Sequence, residues 1–202
     1  DTPITDRQAV EDLISIETIP KVEGAFYWIS NQALRWRPEN YWEPGTKVSV
    51  KADLYGHDLG GGVYGEVDRS ANFTIGDSMH GVVDDNKKTM TVYKNGEVIK
   101  TMPVSMGKNS TPTNNGVYIV AERLPFMVMD SSTYGVPVNS PSGYRTLVDY
   151  AVQMSYSGIY MHGAPWSLSA QGNSNVSNGC PNLSPADAEW LVKNTMRGEI
   201  GR

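Results

Sequence analysis

Residues 47–54, KVSVKADL, set Val48, Val50, Ala52 and Leu54 on alternate positions. A period of two marks a strand with one buried face, and a helix cannot satisfy it. Similar short runs stand nearby, GAFYWI at 24–29 and ALRWR at 33–37. Turn signals at Pro44-Gly45 and Gly60-Gly61-Gly62 cut the runs apart. Short strands punctuated in this way predict a small β-sandwich. One helical pattern precedes them. In TDRQAVEDLIS, residues 5–15, Ala9, Val10, Leu13 and Ile14 share a face, and Thr5 or Asp6 can cap the start.

The stretch TIGDSMHG, residues 74–81, reads as the boundary to a second domain and puts His80 in a linker. Beyond it, two β-runs in KTMTVYKNGEVIKTMPVSMG flank Asn95-Gly96. That pair suits a type I′ hairpin, because both central residues must accept positive φ. GVYIVAE reads as another strand, and SYSGIYMHG as a strand ending near His162. The last element is a helix with Ser184 as its cap, Pro185 at its first position and Asp187 in its first turn. Ala188, Leu191, Val192 and Thr195 form its inner stripe, and Gly198 is placed to end it.

Composition narrows the chemistry. A chain of 202 residues suggests one or two domains. Net charge is −5, and no basic run exceeds Lys87-Lys88, so nothing attracts nucleic acid. No apolar run approaches the ~18 residues of a membrane span. His57, His80, His162 and Cys180 include no pair at zinc-motif spacing. GKNS lacks the phosphate-loop glycine, since Met102 stands five residues before Gly107. LGGGVYG has no helix after it, so a dinucleotide reading is weak. No cofactor is expected.

The one cysteine, Cys180, sits in the polar turn SNVSNGCPN. Lone cysteines are usually small buried hydrophobes. Here residues 171–182 offer only one aliphatic neighbour, Val176. A cysteine nucleophile needs a base to ionise it, a third group to orient that base, and donors for the oxyanion. Gly179 frees space so that backbone N–H groups at 178–180 can converge. His162, eighteen residues upstream at a strand end, is the candidate base. His57 and His80 read as structural. On spacing alone, the pair and the packing reading stay level.

The segment HGAPWSLSAQGNSNVSNGCPNLSP, residues 162–185, resembles the signature of bacterial L,D-transpeptidases. In that family a histidine precedes a spacer and then Ser/Thr-His-Gly-Cys, a variable residue and Asn. His162, Ser177, Gly179, Cys180 and Asn182 match it. SMGKNSTPTNNGVYIV and GVPVNSPSGYRT are similar to the family's core and lid segments. The region before them is similar to the immunoglobulin-like module of multidomain members, with its first strands cut off.

The resemblance implies a mostly β architecture. Residues 1–77 would be a partial immunoglobulin-like spacer, and residues 78–202 a mostly β catalytic domain with a C-terminal helix. It implies acyl transfer between tetrapeptide stems of peptidoglycan, giving 3→3 cross-links with release of D-alanine, and acylation by carbapenems. Cys180 would be the nucleophile and His162 the base, oriented by the backbone carbonyl of Gly163. Amides at Asn178, Gly179 and Cys180, with the Tyr144 hydroxyl, would hold the oxyanion. Ser157, Gly158, Trp166, Asn182, Tyr134 and Met129 would line the substrate path. The enzyme would work outside the cytoplasmic membrane, with any anchor upstream of residue 1.

Two positions depart from the pattern. Gly163 stands where relatives often carry serine, which keeps the carbonyl and implies a looser backbone. Asn178 stands where the motif has histidine, and its side chain cannot carry charge or relay a proton. Water as acceptor would give a carboxypeptidase, and Asn178 leaves open a peptidoglycan-binding protein with weakened catalysis.

Overall fold

The computed structural model describes residues 2–201, so the outermost residue of each expected domain, Asp1 and Arg202, lies outside it. The chain separates into two compact units, Asp1–Ser78 and Met79–Arg202.

The first unit opens with a short helix, α1 (Arg7–Asp12), whose N-cap Asp6 accepts from Ala9 N–H. The helix is shorter than its apolar pattern suggests. Leu13 caps it, and Ile14 already begins β1 (Ile14–Ile19), paired with Ala52. The alternating run 47–52 is β4 (Lys47–Ala52), central between β1 and β5 (Arg69–Thr74). Val48, at 3% exposed, is the deepest of its inward side chains. GAFYWI and ALRWR form a separate hairpin, β2 (Gly24–Ser30) and β3 (Ala33–Pro38). The small sandwich expected from the period-two runs is therefore a three-stranded sheet and a hairpin.

The second unit has two sheets. One is ordered β8-β7-β6-β14-β9, built from β6 (Met79–Asp84), β7 (Thr89–Lys94), β8 (Glu97–Pro103), β9 (Tyr118–Ile119) and β14 (Ile200–Gly201). His80 is not in a linker. It belongs to β6, pairs with Tyr93 and stacks on that ring at 4.7 Å. The hairpin turn is as expected, with φ of 51° at Asn95 and 85° at Gly96.

The other sheet is ordered β10-β11-β12-β13: β10 (Glu122–Asp130), β11 (Arg145–Gln153), β12 (Tyr160–Gly163) and β13 (Asn182–Leu183). SYSGIYMHG is a strand only in its second half. Ser155–Gly158 form a turn, closed by Gly158 N–H to the Ser155 carbonyl at 3.1 Å. Helix α2 (Pro185–Asn194) packs on β11 and β12. Its cap is Ser184, whose hydroxyl accepts from Asp187 N–H at 3.1 Å. Gly198 does not end it. Thr195 does, returning both its N–H and its hydroxyl to the Leu191 carbonyl.

The core lies among these elements. Met102, Val104, Leu183 and Leu191 are at most 1% exposed and share one apolar cluster with Val92 and Val152. Leu183 in that cluster follows Asn182 directly, so packing anchors the strand that leaves the cysteine turn.

Candidate active site

The cysteine turn is stitched to the segment that follows β8. Ser105, fully buried, donates its hydroxyl to the Ser174 carbonyl at 2.7 Å and accepts from Val176 N–H at 3.2 Å. Asn175 accepts from Met106 N–H and donates to Asp85 at 2.7 Å. Gly107 bridges to Ser177, and Lys108 N–H donates to the Ser177 carbonyl at 3.0 Å. A side chain at Gly107 would meet the Thr111 carbonyl at 2.1 Å, so only glycine lets the segment fold this tightly. Asn182 closes the turn, exchanging backbone hydrogen bonds with Ser105 in both directions.

His162 is placed by β12. It is 3% exposed, and its Nδ1 lies 3.1 Å from the Gly163 carbonyl oxygen. A carbonyl can only accept, so Nδ1 carries the proton and the neutral ring keeps its lone pair on Nε2. Burial lowers the imidazole pKa below its ordinary 6.5, against a smaller upward pull from the Gly163 carbonyl. The ring is neutral at neutral pH, which suits a base.

Burial also raises the Cys180 thiol above its ordinary 9.0, partly offset by the Tyr160 N–H. The sulfur accepts from Tyr160 N–H at 3.4 Å and donates to the Gly158 carbonyl at 3.5 Å. Neither hydrogen bond involves His162. At rest the thiol and the imidazole are both neutral, with the thiol proton on the Gly158 carbonyl in the turn between β11 and β12.

Both groups line one cavity of about 490 Å³. Met129, Tyr144, Trp166, Asn178 and Asn182 share its wall. Tyr144 is held protonated, first by burial and then by the Tyr134 hydroxyl, so the phenol carries a proton into the cavity wall. The two rings lie 6.2 Å apart. Trp166 sits 6.0 Å from the His162 ring and is 57% exposed, so it is a wall residue and not core. Gly158 touches the sulfur through its carbonyl, and Ser157 precedes it, its hydroxyl 2.6 Å from that of Ser155. The Asn182 amide donates to Ser167 at 3.1 Å from a site only 3% exposed.

Two expectations change. The Gly179 N–H does not aim at an oxyanion, because it donates to the Ser177 hydroxyl at 3.1 Å. Gly163 is not loosely held. A Cβ there would lie 2.8 Å from the Asp149 carbonyl and 3.5 Å from Pro185, because β11 and α2 both press on it.

Sequence reading missed Thr146, Ser167, Ser169 and Ala170 in the cavity wall. Thr146 was within reach, since Tyr144, Thr146 and Val148 repeat with the period of a strand face. Thr111 and Thr113 were also missed. Their hydroxyls donate to the carbonyls of Ser177, at 3.2 Å, and Gly179, at 2.7 Å.

Comparison with known proteins points to one family for the second unit and another for the first. Residues 78–200 match the L,D-transpeptidase catalytic domain family, and residues 1–58 match the bacterial Ig domain family. L,D-transpeptidase 2 of Mycobacterium tuberculosis is 57% identical over 99% of this chain. The chain spans only 49% of that protein's length. L,D-transpeptidase 1 of the same species is 43% identical over 98% of this chain and 73% of its own length. A solved structure of the LD transpeptidase LdtMt1 in complex with imipenem superposes with a TM-score of 0.73 at 41% identity. It covers 100% of this chain and 87% of that one. A cysteine and a buried neutral histidine on one cavity wall, in a catalytic domain matched over most of its length, place this chain in the L,D-transpeptidase family.

Proposed function

We propose that the chain catalyses acyl transfer between peptidoglycan stems, forming 3→3 cross-links through a thioester on Cys180. The observation that carries this reading is the placement of Cys180 and His162 on one cavity wall, with Nδ1 committed to the Gly163 carbonyl. That commitment leaves Nε2 to take a proton. In this reading the thiol leaves the Gly158 carbonyl and presents its proton to Nε2 across the shared cavity. His162 takes the proton as sulfur attacks the carbonyl of the third stem residue. The tetrahedral oxyanion is held by the Tyr144 phenol and by backbone N–H groups of the cysteine turn. On collapse, the imidazolium returns its proton to the departing D-alanine amine. The side-chain amine of a second stem then attacks the thioester, loses its proton to His162, and releases the thiol.

A β-lactam of the carbapenem class enters the same cycle at its first step, because its strained amide replaces the scissile carbonyl. The relative solved with imipenem supports this part of the reading. The substrate lies outside the cytoplasmic membrane, and we place the enzyme there. Incubation with a tetrapeptide donor and a tripeptide amine acceptor tests the proposal. A cross-linked product with release of one D-alanine per bond is expected. Release of D-alanine without cross-link would mean that water is the acceptor.

A further inference from the structure

We propose that Thr113 and Thr111 are positioning residues that aim the two oxyanion amides of the cysteine turn. This positioning role rests on the acyl-transfer reading above and on peptide geometry. In a trans peptide the carbonyl and the next residue's N–H lie in one plane and point in opposite directions. The Gly179 carbonyl therefore fixes the direction of the Cys180 N–H, and the Ser177 carbonyl fixes that of the Asn178 N–H.

Both carbonyls are gripped from one side. Thr113 donates to Gly179 O at 2.7 Å, and Thr111 donates to Ser177 O at 3.2 Å. Lys108 N–H adds a second bond to Ser177 O. Thr113 is itself fixed, because its hydroxyl accepts from Gly107 N–H at 3.0 Å and so has its proton directed outward. Ser177, Asn178 and Cys180 line the cavity, whereas residues 107–113 do not. The two carbonyls are turned toward a segment off the cavity wall, so by the planarity of the peptide their partner N–H groups face the opposite way, toward the side that the cavity occupies. The third amide, Gly179 N–H, is taken by Ser177 Oγ. Among the described residues, Asn178 N–H and Cys180 N–H make no hydrogen bond. Gly179, at φ of 121°, supplies a backbone conformation between the two amides that a side chain would strain.

The test compares two reactions of the same thiol. Acylation by imipenem builds an oxyanion. Alkylation by iodoacetamide displaces iodide at a saturated carbon and builds none. Thr113→Val removes the donor with little change of shape. It is expected to slow acylation about 10- to 100-fold, less than the roughly 10²- to 10³-fold cost of deleting an oxyanion donor outright because the amide is misaimed and not removed, while alkylation stays at the parent rate. Thr113→Ser restores the hydroxyl and is expected to restore acylation. Thr111→Val repeats the test through the Asn178 amide and serves if Thr113→Val fails to fold. Unchanged acylation in both valine variants overturns the proposal. So does an equal fall in both reactions, which would mean that the turn has merely shifted. A parent protein that is alkylated but never acylated would remove the acyl-transfer reading itself, and the clamp with it.

Discussion

His162 faces Asn182 across the parallel ladder of β12 and β13, and its backbone N–H donates to the Pro181 carbonyl at 3.3 Å. Cys180 is the residue before that proline. Backbone hydrogen bonds, not flexible side chains, therefore set the spacing of His162 and Cys180.

The first prediction concerns pH. Burial holds His162 below 6.5 and Cys180 above 9.0, so both are neutral between those values. General-base attack needs a neutral imidazole. Acylation should keep its rate as pH falls to 6.5 and decline only through the depressed histidine value. The same group contributes stability that is present above its ordinary pKa and lost as pH falls through the folded one. Rates of imipenem acylation across the acid range check this, and a midpoint at or above 6.5 contradicts it.

Much of this pairing was legible in the sequence. The His162-to-Asn182 signature, the Asn95-Gly96 turn and the Ser184-Pro185 cap are local patterns with local causes. What was not legible depends on distance along the chain. Thr113 reaches Gly179 across 66 residues, and the polar stretch around it reads only as a turn. Strand β14 has two residues and exists because β6 and β9 flank it. The same holds for His80, whose strand is defined by its partner Tyr93. Gly179 misled because a small residue frees space without revealing where its own N–H goes.

Gly163→Ser tests the crowding between β11 and α2. The added side chain must displace the Asp149 carbonyl or the start of α2, at a cost of about 1–3 kcal/mol. Imipenem acylation should persist, because the orienting group is the backbone carbonyl. Denaturant unfolding measures the first effect, and an unchanged midpoint rules out the strain.

Ser105→Ala removes one hydroxyl that both donates to Ser174 and accepts from Val176. The buried backbone groups left behind cost about 1–3 kcal/mol. Because the turn carries Cys180, the variant should lose acylation rate as well as melting temperature. Loss of one without the other would separate the scaffold from the site.

Asn178→His restores the residue usual in the family motif. Residue 178 is exposed and lines the cavity beside Cys180. A histidinium there favours the thiolate, so acylation should be faster than in the parent, most clearly at mildly acid pH. Equal rates across pH would show that Asn178 costs the enzyme nothing.

The most direct test of the account is the intact mass of the protein after incubation with imipenem, beside the Cys180→Ala variant. One adduct on the parent and none on the variant is the expected result. A parent that stays unmodified, or a variant that gains the same adduct, would contradict the assignment of Cys180 as the acylated nucleophile.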